Sequence, residues 1–181
     1  MGIYLCVIAD DFQGPVNLVD GTYRRNRYTN DGVMRRLRPS VNARERLPAV
    51  VMRILAAVPH HSLDALLIFA HGYLNQQQSR ENGFEVPTFK LGRGLTAANA
   101  SLFRSMTHLW SRRYDGATQQ GDFRSTVPRI ELHVCYAAEM WNRPIVQALA
   151  RAAQAPVFAS GVPQMVENRG FEGRVSRFNP C

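Results

Sequence analysis

A histidine and a cysteine each close an apolar run in this chain, and small residues follow soon after both. Leu66-Leu67-Ile68-Phe69-Ala70 leads into His71-Gly72, and Ile130-Glu131-Leu132-His133-Val134 leads into Cys135 and then Tyr136-Ala137-Ala138. An imidazole held beside a thiol can generate and use a sulfur nucleophile. Gly72 adds to the pattern, because a glycine lets a substrate approach the backbone and leaves its N–H free to donate to a developing oxyanion. The chemistry these residue types suit is acyl transfer from an amide or ester carbonyl to sulfur.

Such a pair works only if two separate elements deliver it to one place. Short, β-rich apolar runs read as buried parallel strands. In open α/β sheets, reactive groups collect at the carboxyl ends of such strands. Residues 3–9, 63–70, 129–135 and 156–160 read as strands, and Phe171-Glu172-Gly173 starts a short last one. Between them, Leu47, Val50, Val51, Ile54, Leu55 and Val58 recur at helical spacing, with Pro48 in the first turn and Pro59 as terminator. Thr96 reads as the N-cap of a helix carrying Leu102, Phe103, Met106, Leu109 and Trp110 on one face. Asn142 and Pro144 open another, with Ile145, Val146, Leu149 and Ala152 as its stripe. Alternating strands and helices predict a single three-layer α/β domain over residues 1–181, with a mainly parallel sheet flanked by helices on both faces. Residues 12–39 and 73–90 read as loop or ribbon insertions, the first marked by Gly14-Pro15, Asp20-Gly21 and Asn30-Asp31-Gly32.

Other polar residues have plainer readings. Cys6 lies mid-strand, where a buried inert thiol is expected, and Cys181 is the last residue. The three cysteines form neither a metal-ligand pair nor a disulfide framework, so no metal and no cofactor is expected. His133 is two residues before Cys135 and on the same sheet face, a position for packing beneath a site. His60, His61 and His108 read as surface residues. Asp10 and Asp11 close the first strand at the same rim, where a carboxylate facing the cleft would bind a basic side chain of a substrate.

The order strand–His–Gly, then strand–Cys–x–x–Ala, resembles the clan CD cysteine peptidases, which include caspases, gingipains, legumain, clostripain and the self-processing protease domains of large bacterial toxins. The resemblance rests on residues 66–72, on Leu91-Gly92 and Leu95-Thr96 leading into a helix, and on residues 130–138. It extends to residues 156–160. No caspase-type pentapeptide surrounds Cys135. The resemblance implies a caspase-like sheet and a cysteine endopeptidase or related amide hydrolase. It makes Cys135 the nucleophile and His71 the general acid/base, with the backbone N–H groups of Gly72 and Cys135 as the oxyanion hole. The substrate would be a protein or peptide.

Composition narrows the alternatives. With 45% hydrophobic and 20% charged residues the chain is an ordinary globular protein, which excludes a disordered one. No apolar run approaches the roughly 20 residues of a membrane-spanning helix. Residues 1–9 lack the basic start of a cleaved signal, so a cytoplasmic location, or secretion by a specialised system, is expected. The net charge of +8 raises nucleic acid as a partner, but the arginines are scattered. The densest group (Arg24, Arg25, Arg27, then Arg35, Arg36, Arg38) has no aromatic stacking platform within it. Lys90 is the only lysine. The size and arginine bias would suit a bacterial effector or toxin. Two rival classes are a non-enzymatic binding module with a basic surface on a caspase-like fold, and a serine-type α/β hydrolase relative. The second is suggested by Phe69-Ala70-His71-Gly72-Tyr73-Leu74, which resembles the His-Gly oxyanion segment of lipases, but the chain lacks a Gly-x-Ser-x-Gly elbow.

Overall fold

The computed structural model describes residues 2–12, 32–121, 125–164 and 171–181. Among the described residues six strands pair in one sheet in the order β2-β1-β3-β4-β5-β6. They are β1 (Gly2–Ile8), β2 (Gly32–Arg36), β3 (Leu63–Ala70), β4 (Arg129–Val134), β5 (Val157–Ser160) and β6 (Val175–Phe178). All pairings are parallel except that of β5 with β6. With the helices below, they make an α/β domain built on a mostly parallel sheet.

The central strands form where the sequence offers unbroken apolar runs. Every residue of β4 is buried, as is every residue of β3 except Asp64. The helix α1 (Leu47–Ala57) takes Pro48 in its first turn and buries Leu47, Val50, Val51 and Ile54. The helix α3 (Arg143–Ala153) has Pro144 in its first turn and buries Ile145, Val146, Leu149 and three alanines of its last turns. Between β3 and β4 lie a short α2 (Gln76–Glu81) and a 3-10 helix (Ala100–Met106). The 3-10 helix packs against both α1 and α3. Among the described residues these three helices therefore share one face, as right-handed crossovers running in one direction across the sheet require. No helix among the described residues is long and apolar enough to cross a membrane.

Several elements differ from expectation. The part of residues 12–39 read as loop supplies β2, which pairs in parallel with β1 through Gly2↔Gly32 to Cys6↔Arg36. The rest of that insertion, including Arg24, Arg25 and Arg27, lies outside the described residues. Within residues 73–90, Gln76–Glu81 is helical, capped by the Asn75 side chain accepting from Gln78 N at 3.0 Å. Phe89 and Lys90 form isolated bridges to Leu95 and His71 rather than a strand. The element after Thr96 is a 3-10 turn rather than an α-helix, preceded by a reciprocal pair in which Thr96 N donates to Asn99 Oδ1 and Asn99 N to Thr96 Oγ1.

One sheet face carries a fully buried charged ladder. Residues Arg129, Glu131 and His133 alternate along β4 beside Ala65, Leu67 and Phe69 of β3. Arg129 Nε donates to Glu131 Oε1 at 2.6 Å, and Glu131 Oε2 lies 3.1 Å from His133 Nε2. The His133 ring is stacked between Phe69 (4.6 Å) and Phe171 (4.4 Å). Burial pushes the Glu131 carboxyl up, but Arg129 and His133 outweigh that and hold it below the usual carboxylate range. A carboxylate so depressed stabilises the fold above its unfolded value of about 4.3, and that contribution fades as the pH falls through the lower folded value. Glu131→Gln is expected to cost about 3–5 kcal/mol near pH 7, because it removes the carboxylate charge that faces a buried guanidinium. Urea unfolding of both proteins should show the gap narrowing on acidification. A gap independent of pH would contradict the ionised ladder.

Candidate active site

Ala70 and Val134, the last residues of β3 and β4, are ladder partners. One step further, His71 and Cys135 leave the sheet as neighbours on strands that lie about 4.8 Å apart. Alternation assigns both side chains to the face of Phe69 and His133. The Phe12 ring fits this assignment, for it packs on Phe69 (6.0 Å) and on His71 (5.7 Å) together.

The imidazole is oriented by the turn after β1. His71 Nε2 lies 3.0 Å from the Asp11 carbonyl oxygen. A carbonyl can only accept, so Nε2 carries a proton in this contact. The Asp11 carboxylate sits 3.9 Å from the same Nε2 and binds Lys90 Nζ at 2.5 Å. That hydrogen bond holds the Lys90 ammonium above its ordinary range. Lys90 is itself fixed to the histidine strand, its N–H donating to His71 O at 2.8 Å. Asp10 is exposed and accepts from Asn42 Nδ2 at 3.1 Å.

The sulfur is half-buried and contacts the segment that follows β5. Gln164 N donates to Cys135 Sγ at 3.2 Å, and Sγ lies 3.8 Å from Gln164 O. The buried Gln164 amide is in turn held by Glu172, whose N–H donates to Oε1 at 3.0 Å. Among the described residues no hydrogen bond joins Cys135 to His71, and the N–H groups of Gly72 and Cys135 find no acceptor. Gly72 must be glycine for space: a Cβ there would collide with the Cys135 carbonyl oxygen and with Val134. Tyr136 follows the cysteine with φ of 58°, a left-handed turn that non-glycine residues seldom adopt.

Asn142 ties the two rims together. Its Nδ2 donates to Tyr73 O at 2.7 Å, just past Gly72, and to Tyr136 O at 2.9 Å, just past Cys135. The sequence marks Asn142 only as a helix start, yet its side chain makes no cap bond. Asn142, Lys90 and Gln164 were invisible as site residues because their partners are remote in sequence. The one available signal was Lys90 as the sole lysine. Among the described residues no group of three or more His, Cys, Asp or Glu gathers as a metal-binding set. His60 and His108 meet edge to face at 4.4 Å beside the start of β3, at the opposite rim of the sheet.

These elements define an α/β domain with a half-buried thiol and an imidazole at the carboxyl rim of a mostly parallel sheet. Compared with known proteins, the chain matches no family model, no curated protein and no solved structure.

Thiol accessibility follows from this arrangement. Cys6 is fully buried with Sγ on Met34 Sδ (3.3 Å), Cys135 is partly accessible and Cys181 is exposed. Iodoacetamide should modify Cys135 and Cys181 in the native protein and Cys6 only after unfolding, read by peptide mass mapping. Native labelling of Cys6 ahead of Cys135 would contradict the placement of both.

Proposed function

We propose that this chain is a cysteine endopeptidase or related amide hydrolase on a caspase-like α/β fold. The observation that supports the reading is the β3–β4 register, in which the ladder partners Ala70 and Val134 immediately precede His71 and Cys135. In this reading the sulfur, as thiolate, attacks the substrate carbonyl and forms a carbon–sulfur bond. The N–H of Gln164 stabilises the anionic sulfur beforehand, and those of Gly72 and Cys135 receive the oxyanion. His71 holds the thiol proton on Nδ1, with Nε2 anchored on Asp11 O, and returns it to the leaving amine. Water then attacks the thioester while His71 takes its proton, and the carboxylic acid departs as the thiolate re-forms.

The resemblance to clan CD peptidases supports the same assignment through its paired strand–His–Gly and strand–Cys motifs. The serine-type alternative has less support, since Ser160 at the end of β5 is buried and donates to Glu172 O at 2.6 Å. A basic binding surface rests on exposed Arg35, Arg38, Arg44, Arg46 and Arg93 around β2 and α1. Arg93 and Arg44 are adjacent there through a bond from Arg93 Nε to Arg44 O. A protein or peptide substrate, and a role as a bacterial effector or toxin, belong to this proposal as well.

Cys135→Ala and His71→Ala should each lower hydrolysis of a fluorogenic peptide by about 10²–10⁴-fold or more. The double variant should lose little further, because the two residues act as a unit. Both sites lie at a rim, so unfolding free energies should change by no more than about 1–2 kcal/mol. Full activity in folded Cys135→Ala would refute the reading. DNA affinity falling steeply with salt in the same variant would move the function to the arginine surface.

A further inference from the structure

We propose that Lys90 is a built-in occupant of an acidic substrate subsite at Asp11, and so sets how strongly arginine is preferred next to the scissile bond. The proposal rests on the Cys135–His71 reading and deepens it. The Asp11 carbonyl oxygen meets His71 Nε2 at 3.0 Å, and the Asp11 carboxylate lies 3.9 Å from the same nitrogen, on the side of the ring that the proposed proton transfer leaves anchored. A carboxylate at that place would bind a substrate cation, and it already holds one at 2.5 Å. That cation is the single lysine among 22 basic residues.

The way Lys90 is mounted suits a displaceable occupant. Its neighbours Phe89 and Leu91 are fully buried, Phe89 is bridged to Leu95, and Lys90 N is bonded to His71 O. The backbone is therefore fixed. The side chain of Lys90 is one-third exposed, as is that of Asp11. The ammonium can swing aside on its flexible stem without disturbing the core. A lysine also holds a carboxylate as a point charge, whereas a guanidinium can form two parallel bonds to it. A substrate arginine can thus outcompete Lys90, and a substrate lysine competes only on equal terms.

The test uses the full chain with fluorogenic peptides carrying arginine, lysine or leucine before the cleaved bond. Lys90→Met should raise the arginine-to-leucine ratio of kcat/KM by about fivefold, the size an exposed ion pair supports, mainly through KM. Lys90→Arg should lower it, because a two-pronged cation holds Asp11 more firmly. A purely structural role would not move selectivity in opposite directions. An unchanged ratio in both variants, or a shift of the same sign in both, overturns the proposal. Binding of N-acetylarginine amide to Cys135→Ala, followed by calorimetry with and without Lys90→Met, separates the two levels. Tighter binding without peptide hydrolysis by the intact thiol would keep the occupant and remove the peptidase reading. Hydrolysis with no change in binding or ratio would do the reverse.

Discussion

The register between β3 and β4 is the constraint on which everything at the rim depends. Side chains in a sheet alternate, so a slip of one residue would send Cys135 to the face opposite His71. That register is specified from below. On one face Leu66, Ile68 and Ala70 oppose Ile130, Leu132 and Val134; on the other, Ala65, Leu67 and Phe69 oppose Arg129, Glu131 and His133. A slip would expose the first set to the wrong layer and break the buried ladder of the second. The apolar pattern and the charge pattern therefore enforce the same alignment.

The ladder gives the rim its rigidity. His133 is clamped between Phe69 and Phe171 and tied to Glu131, which Arg129 holds in turn. Burying three such groups carries a desolvation cost that their mutual bonds offset only in one geometry. Above them, Asn142 spans the two loops that carry the imidazole and thiol, and Gln164 brings the segment after β5 onto the sulfur. His71 and Cys135 are thus held from beneath by β3 and β4, across by Asn142 and, for the sulfur, from one side by Gln164. Such support from packed, hydrogen-bonded neighbours is what a preorganised site requires.

Much of this was legible in the sequence, for a physical reason. Strands β1, β3, β4 and β5 lie in the middle of the sheet and announce themselves as apolar runs, while α1 and α3 show helical periodicity and a proline in the first turn. Edge and surface elements carry no such signature. Among the described residues β2 pairs on one side only, with Val33 exposed and Arg35 and Arg36 in its length, so nothing in its composition marks a strand. Gln76–Glu81 buries only Ser79 and reads as a polar loop. The side-chain environment of the site was less legible still. In the sequence Asp11, like Asp10, reads as a carboxylate that would bind a basic side chain if it faced the cleft, whereas Lys90, 79 positions away, already holds it. Asn142 marks only a helix start in the sequence, yet its amide is spent across two loops. Contacts of that kind depend on the completed fold, and no local pattern encodes them.

The pairing of His71 with Cys135 at two backbone donors is the chemistry on which the proposed hydrolysis stands. Its most direct test is a crystal structure of the chain reacted with a peptide aldehyde. The expected adduct is a thiohemiacetal on Cys135 Sγ, with its oxygen within hydrogen-bond distance of Gly72 N and Cys135 N. The His71 ring should then lie within about 7 Å of the sulfur, close enough to tighten onto a reacting proton. An aldehyde that leaves Cys135 unmodified, or an adduct whose oxygen points away from both donors, would contradict the claim.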